Sequence, residues 1–95
     1  MLPWQVTIEP TGRVYATGDV KPKRRRLSHA KVVSLSRLVR QGFASGLKSR
    51  TCPGTLPDFG SDFIHAAGRT VRVRGGCEPR FHRLWNTLAS AVGIG

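Results

Sequence analysis

The sequence predicts a single α+β domain in which a four-stranded antiparallel sheet carries two helices on one face. Two segments alternate apolar and polar residues around a glycine-containing turn, and two others have helical apolar periodicity. Their order along the 95 residues is strand, strand, helix, strand, strand, helix. Laying both helices on one face of the sheet is the simplest way to bury both apolar stripes.

The first predicted element is a β-hairpin over residues 4–17. Apolar and polar side chains alternate from Trp4 to Ile8, the period of a half-buried strand. Pro10-Thr11-Gly12 suits a three-residue turn, because proline presets φ and glycine accepts the left-handed conformation. This turn places Ile8 opposite Val14.

A polar, basic connector over residues 18–27 leads to a predicted helix over 28–45. Ser28 is a suitable N-cap, and Leu27 can pack on Val32 as a hydrophobic staple. Gly46 is a fitting stop. One face of the helix collects its apolar residues, which are Val32, Leu35, Leu38, Val39, Gly42 and Phe43.

The segment 46–60 is rich in proline and glycine, so it is predicted to be a loop without regular structure. The final helix is predicted over 79–92, with Pro79 in its first turn and Gly93 after its end. It has the clearest amphipathic pattern of the chain, formed by Phe81, Leu84, Trp85, Leu88, Ala91 and Val92.

The second predicted hairpin spans residues 61–74, and its register has two alternatives. A three-residue turn places Asp62 opposite Arg72 and Phe63 opposite Val71. A two-residue turn, Ala67-Gly68, pairs Ile64 with Val71 and leaves Asp62 opposite Val73. We prefer the first register because it matches opposite charges.

Cys52 and Cys77 are the two cysteines of the chain. An even count in a small domain favours a disulfide, whereas a reducing compartment would leave two thiols. The bridge would contribute roughly 3 to 4 kcal/mol of stability in the chain-entropy model. The prediction is a disulfide, and with it an exported, extracytoplasmic protein; a cytoplasmic location is the alternative. The MLPWQV start has no basic or apolar region of signal-peptide type.

The chain carries 16 Lys and Arg against 5 Asp and Glu, a net charge of +11. The electric field of such a positive net charge attracts polyanions in general. No apolar run is long enough to cross a bilayer, so no membrane insertion is expected. The densest cluster is a basic run made of Lys21, Lys23, Arg24, Arg25 and Arg26.

The basic run has two interpretations. It can bind phosphates with strong salt dependence, or it can continue the second strand as an edge that resists aggregation; we favour the edge. A second candidate surface is the uncovered sheet face, where an arginine-rich patch with a tyrosine could hold carboxylates or stack bases. An ordinary solvated face is the other interpretation, and we favour it. The residues of that face are Arg13, Tyr15, Arg72 and Arg74.

The chain resembles emfourin, a family of small bacterial inhibitors of protealysin-like metalloproteases, and related short exported proteins of unknown role. The likeness covers nearly the whole chain, mostly at core and turn positions. It is carried by GRVY from Gly12, LS from Leu27, LxxLV from Leu35, Phe43, LPDF from Leu56, GRTVRV from Gly68 and PRFxxLWxxL from Pro79. The resemblance implies a non-catalytic domain and an extracellular protease as the candidate target.

The predicted function is therefore a non-enzymatic, exported protein-binding domain with a protease-inhibitor character. The alternative is a module that binds nucleic acid or a heparin-like polyanion, using the basic run with Arg13, Arg37, Arg40, Arg72 and Arg74. No catalytic motif and no cofactor signature is present. A zinc site is not predicted, because Cys52, His65, Cys77 and His82 include no closely spaced cysteine pair.

Overall fold

The computed structural model describes residues 4–55, 60–66 and 68–94, which form five strands and two helices. The class is α+β, as the sequence predicts. In chain order the elements are β1 (Trp4–Ile8), β2 (Val14–Gly18), α1 (His29–Ala44), β3 (Arg50–Thr51), β4 (Asp62–Ala66), β5 (Arg69–Arg74) and α2 (Pro79–Val92).

The described residues divide into two compact units. The first unit comprises residues 4–36 and 86–94, and the second comprises the described part of 37–85. Residues 56–59 and 67, which belong to the predicted loop and to the second turn, lie outside the described residues. The single-domain assignment stays a prediction.

The prediction of one four-stranded antiparallel sheet is wrong. β1 and β2 form a two-stranded sheet, whereas the second sheet has three strands in the order β3-β5-β4. β5 runs antiparallel to β4 and parallel to β3, so both of its edges are occupied. At β2, the Val14 N–H donates to the Arg25 carbonyl at 2.9 Å. The connector after β2 thus turns back and bonds to the start of β2. Closing this short loop costs less chain entropy than pairing β2 with a strand far along the chain.

The register of the first hairpin is confirmed, with Ile8 paired to Val14. The Glu9 N–H donates to the Arg13 carbonyl at 2.9 Å, and Gly12 takes the left-handed conformation with φ of 91°. The apolar side of the hairpin packs on one cluster of the first unit. Its members are Val6, Ile8, Val14, Leu27, Val32, Leu35, Leu88, Ala91, Val92 and Ile94.

The predicted start and stop of α1 are confirmed. The Ser28 hydroxyl accepts from the Lys31 N–H at 3.2 Å, and Gly46 follows the helix with φ of 98°. Leu38 was assigned to the apolar face, but 41% of it is exposed, while its neighbour Val39 is buried. Adjacent helical residues point about 100° apart, so a stripe centred on Val39 leaves Leu38 at its margin.

The second hairpin adopts the two-residue register, and the preferred register is wrong. Ile64 pairs with Val71 and Phe63 pairs with Arg72. A charge pair across strands contributes about 0.2–1 kcal/mol, and the contact of the Arg72 guanidinium with the Phe63 ring contributes about as much. Burial of Ile64 beside Val71 then decides the register, because it removes more apolar surface from water.

The prediction of an unstructured loop over 46–60 is wrong at one point. β3 pairs Arg50 with Val73 and Thr51 with Arg74, directly before Cys52. Two residues are too few to produce a periodic pattern, so the sequence contains no strand signal here.

Arg69 is expected to stabilise the end of α1. Its guanidinium donates to the carbonyl of Phe43 (3.4 Å) in the last turn and to that of Leu47 (3.0 Å) just beyond the helix. The Phe43 carbonyl also accepts from the Gly46 N–H at 3.3 Å, and such terminal carbonyls lack the regular helical bond. We expect Arg69→Ala to lower the free energy of unfolding by about 1–2 kcal/mol, measured by urea denaturation. Arg40→Ala, at an exposed position of the same helix, is the control and should change it by less than about 0.5 kcal/mol. Equal effects would contradict the capping role.

Candidate anion-binding groove

The groove begins with the alternation of side chains along β5. Val71 and Val73 are both 1% exposed and face the core of the second unit. Thr70, Arg72 and Arg74 alternate with them and therefore point to the opposite side. Burial of two valines thus sets the direction of two arginines.

Two neighbouring segments complete the groove around β5. β3 contributes Arg50 and Thr51, and Ser49 and Ser61 also line the groove. The volume is about 560 Å³, large enough for several groups of a partner chain. Among the described residues, those that line the groove include three arginines and no carboxylate.

Arg72, one of the residues that line the groove, is held in a defined orientation. Its Nη1 donates to the Ser61 hydroxyl at 3.0 Å, and its guanidinium carbon lies 4.7 Å from the centre of the Phe63 ring. The Arg72 backbone N–H donates to the Ser49 hydroxyl at 3.0 Å. A planar guanidinium stacked in this way keeps donors free for a bidentate anion.

The disulfide between Cys52 and Cys77 is confirmed, with its Cα atoms 5.6 Å apart. The Cys52 N–H donates to the Arg74 carbonyl at 2.8 Å, which extends the pairing of β3 with β5. The Cys77 N–H also reaches the Cys52 Sγ at 3.0 Å. The bridge therefore fixes the end of the short strand that carries Arg50.

The predicted arginine face is only partly correct. Arg72 and Arg74 lie in the groove, but Tyr15 belongs to the two-stranded sheet and Arg13 precedes β2 in an isolated bridge with Arg26, so no single sheet carries all four. Arg13 instead stacks on the Tyr15 ring at 4.6 Å. Arg50 was missed by the sequence analysis. The predicted disulfide was the one available signal, because it brings the residues before Cys52 towards the end of the second hairpin.

The basic run does not continue β2 as an edge strand, so that interpretation is wrong. The Arg24 N–H donates to the Val92 carbonyl at 3.1 Å, and the Lys23 N–H donates to the Gly93 carbonyl at 3.4 Å. The run therefore lies at the C-terminal end of α2, where positive charge is favourable. Arg24 and Arg26 line a cavity of the first unit, whose described lining does not include Lys21, Lys23 or Arg25.

The histidines considered for a metal site have other partners. His65 Nδ1 lies 2.6 Å from the Thr70 hydroxyl, and His82 Nε2 donates to the Gly75 carbonyl at 2.9 Å. Within the described residues, no group of three or more His, Cys, Asp or Glu could hold a metal ion. In the same part of the chain, neither helix has the length and apolar character needed to cross a bilayer.

Comparison of the chain with protein-family models, with curated proteins and with solved structures finds no match.

Proposed function

We propose that this protein is a non-enzymatic domain that binds an acidic surface of another protein through the arginine groove. The observation that carries the proposal is a groove whose described lining contains Arg50, Arg72 and Arg74 and no carboxylate; Arg72 and Arg74 lie on one face of β5, and Arg50 borders the groove from the edge strand β3. Guanidinium groups match carboxylates with two parallel hydrogen bonds. Paired strands fix the backbone positions of the arginines, and the Arg72 guanidinium is also held by Ser61 and Phe63, so part of the orientation is set before binding.

The proposed partner is an exported protein, and a protealysin-like metalloprotease is the candidate. The disulfide supports export, because such bonds persist in oxidising compartments. The resemblance to emfourin supports a protease as the target. Arginine is also among the residues that most often dominate binding energy at protein interfaces.

The proposal is tested by replacing the three groove arginines together. Arg50→Gln, Arg72→Gln and Arg74→Gln remove the charge but keep much of the side-chain length. If each arginine contributes about 1 kcal/mol, the triple variant should lose about 100-fold in affinity. The measurement is inhibition of a protealysin-like metalloprotease on a peptide substrate, with complex formation followed by calorimetry.

A matched control removes the same charge elsewhere in the second unit. Arg37→Gln, Arg40→Gln and Lys48→Gln are exposed positions outside the groove, and this variant should bind within about threefold of the original protein, since exposed long-range charges are screened. Equal losses in both triple variants would remove the groove from the proposal. A chain that neither inhibits nor binds such proteases would remove the protease.

A polyanion is the second candidate partner, favoured by the net charge of +11 and by the arginine stacked on Phe63. Arginine and aromatic groups on an exposed sheet face suit single-stranded nucleic acid. Binding of a labelled oligonucleotide is measured by fluorescence anisotropy. The logarithm of the affinity should then fall linearly with the logarithm of the salt concentration. The groove triple variant should reduce that slope by about 2 units. The control variant changes Arg37 and Arg40 of the predicted polyanion surface, so a slope reduced equally by it would assign the binding to the wider basic surface and not to the groove.

A further inference from the structure

A second basic site lies in the first unit, where the backbone of the basic run is anchored. The Leu27 N–H donates to the Gly12 carbonyl at 2.7 Å, and Leu27 is only 5% exposed. The Arg25 carbonyl accepts from Val14, and the Arg24 N–H donates to Val92. The chain is therefore held on both sides of Arg26, and the side chains of the run project from defined positions.

Two cations of the run face one cavity together with a third from α1. Arg24, Arg26 and Lys31 line a space of about 680 Å³ with Ser28, Asn86 and Ser90. No Asp or Glu occurs among its described lining residues. Within residues 4–55, 60–66 and 68–94, none of the hydrogen bonds, ion pairs or ring contacts engages the side chains of these three cations. Three like charges thus line one space without a counter-charge in its described lining.

We propose that this cavity binds a tetrahedral dianion, a phosphate monoester or sulfate group. Arg24 and Arg26 supply guanidinium donors, and Lys31 adds a third positive charge against the two negative charges of the ligand. The hydroxyls of Ser28 and Ser90 and the Asn86 amide supply neutral donors. A tetrahedral anion presents more acceptor oxygens than a carboxylate and so uses more of this lining. The assignment is independent of the arginine groove, which lies in the other unit.

The test is a titration of the ¹⁵N-labelled protein with inorganic phosphate, followed by NMR. Sodium chloride at equal ionic strength provides the baseline, and parallel arms use sodium sulfate and O-phosphoserine. We expect the largest shifts at the amides of residues 24–31 and at the Asn86 side chain. Binding of phosphate and phosphoserine with weak sulfate binding assigns the site to phosphate. Equal binding of sulfate assigns it to tetrahedral dianions in general, which also supports the proposal.

Two double variants distinguish a site from general charge attraction. Arg24→Gln with Arg26→Gln should weaken phosphate binding by at least about tenfold. Lys21→Gln with Arg25→Gln removes the same charge from the same run, outside the described lining of the cavity, and should weaken binding by no more than about threefold, because nearby exposed charge is lost but no lining residue. If the first pair impairs folding, Lys31→Gln replaces it, with Lys48→Gln as its control, because both are exposed positions.

Three results would overturn the proposal. The first is an equal loss of affinity in the cavity variants and in their controls, since net charge alone would then explain binding. The second is a set of phosphate-dependent shifts confined to residues around Arg50, Arg72 and Arg74, which would move the anion to the groove. The third is the same response to chloride as to phosphate and sulfate. None of these results depends on whether a protein partner binds the groove.

Discussion

Removal of the Cys52–Cys77 bridge is expected to lower the free energy of unfolding by about 3–4 kcal/mol, the chain-entropy cost of a loop of this length. The two cysteines are 25 residues apart. Marginal stability makes this a large share of the total for a chain of this size. Binding at the groove should fall with it, because β3 has only two residues and its end is tied to β5 through Cys52.

The measurement compares urea denaturation of the original protein and of a Cys52→Ala, Cys77→Ala variant. Reductant should lower the transition midpoint of the original protein and leave that of the variant unchanged, which provides the control. Binding of the groove ligand is measured on both proteins at a temperature where both are folded. A loss below about 1 kcal/mol together with unchanged groove binding would contradict a supporting role for the bridge.

Gly12→Ala is expected to lower the free energy of unfolding by about 3 kcal/mol or more. Gly12 has φ of 91°, a conformation that costs a residue with a Cβ roughly 1–2 kcal/mol. A Cβ at this position would also overlap the Leu27 carbonyl oxygen. The Leu27 backbone must then move, which strains its hydrogen bond to Gly12 and the burial of its side chain.

The control for Gly12 is Gly46→Ala, which separates backbone strain from overlap. Gly46 has φ of 98°, but a Cβ there meets no atom within 4 Å. Gly46→Ala should therefore lower the free energy of unfolding by only roughly 1–2 kcal/mol, the strain of the left-handed conformation. Thermal and urea denaturation measure both variants. Equal costs at the two glycines would contradict the close approach of Leu27. Phosphate affinity should fall in Gly12→Ala alone, because Leu27 lies between Arg26 and Ser28.

The first hairpin and both helices were predictable because their signals lie between neighbours in the chain. The alternation before Gly12 and the short turn leave one register for Ile8 and Val14. Ser28 and Gly46 delimit α1 through caps that act within a few residues. The disulfide also followed, since two cysteines allow one intramolecular pairing.

The second hairpin shows where local reasoning fails. The opposite charges of Asp62 and Arg72 argued for a register that the structure does not have. Within the hairpin itself, the charge pair of one register and the arginine–ring contact of the other stabilise by similar amounts. The choice depends on which side chain of β4 is buried, a property of the whole second unit.

Sequence periodicity predicted neither of the two basic sites. The groove combines Arg50 with Arg72 and Arg74, and the cavity combines Arg24 and Arg26 with Lys31 and Asn86. Helix caps, turns and strand alternation depend on residues close in the chain, so composition and spacing were sufficient for them. The pairing of β3 and the convergence of distant cations depend on competition for burial and strand edges across the folded chain, and only the three-dimensional arrangement resolves that competition.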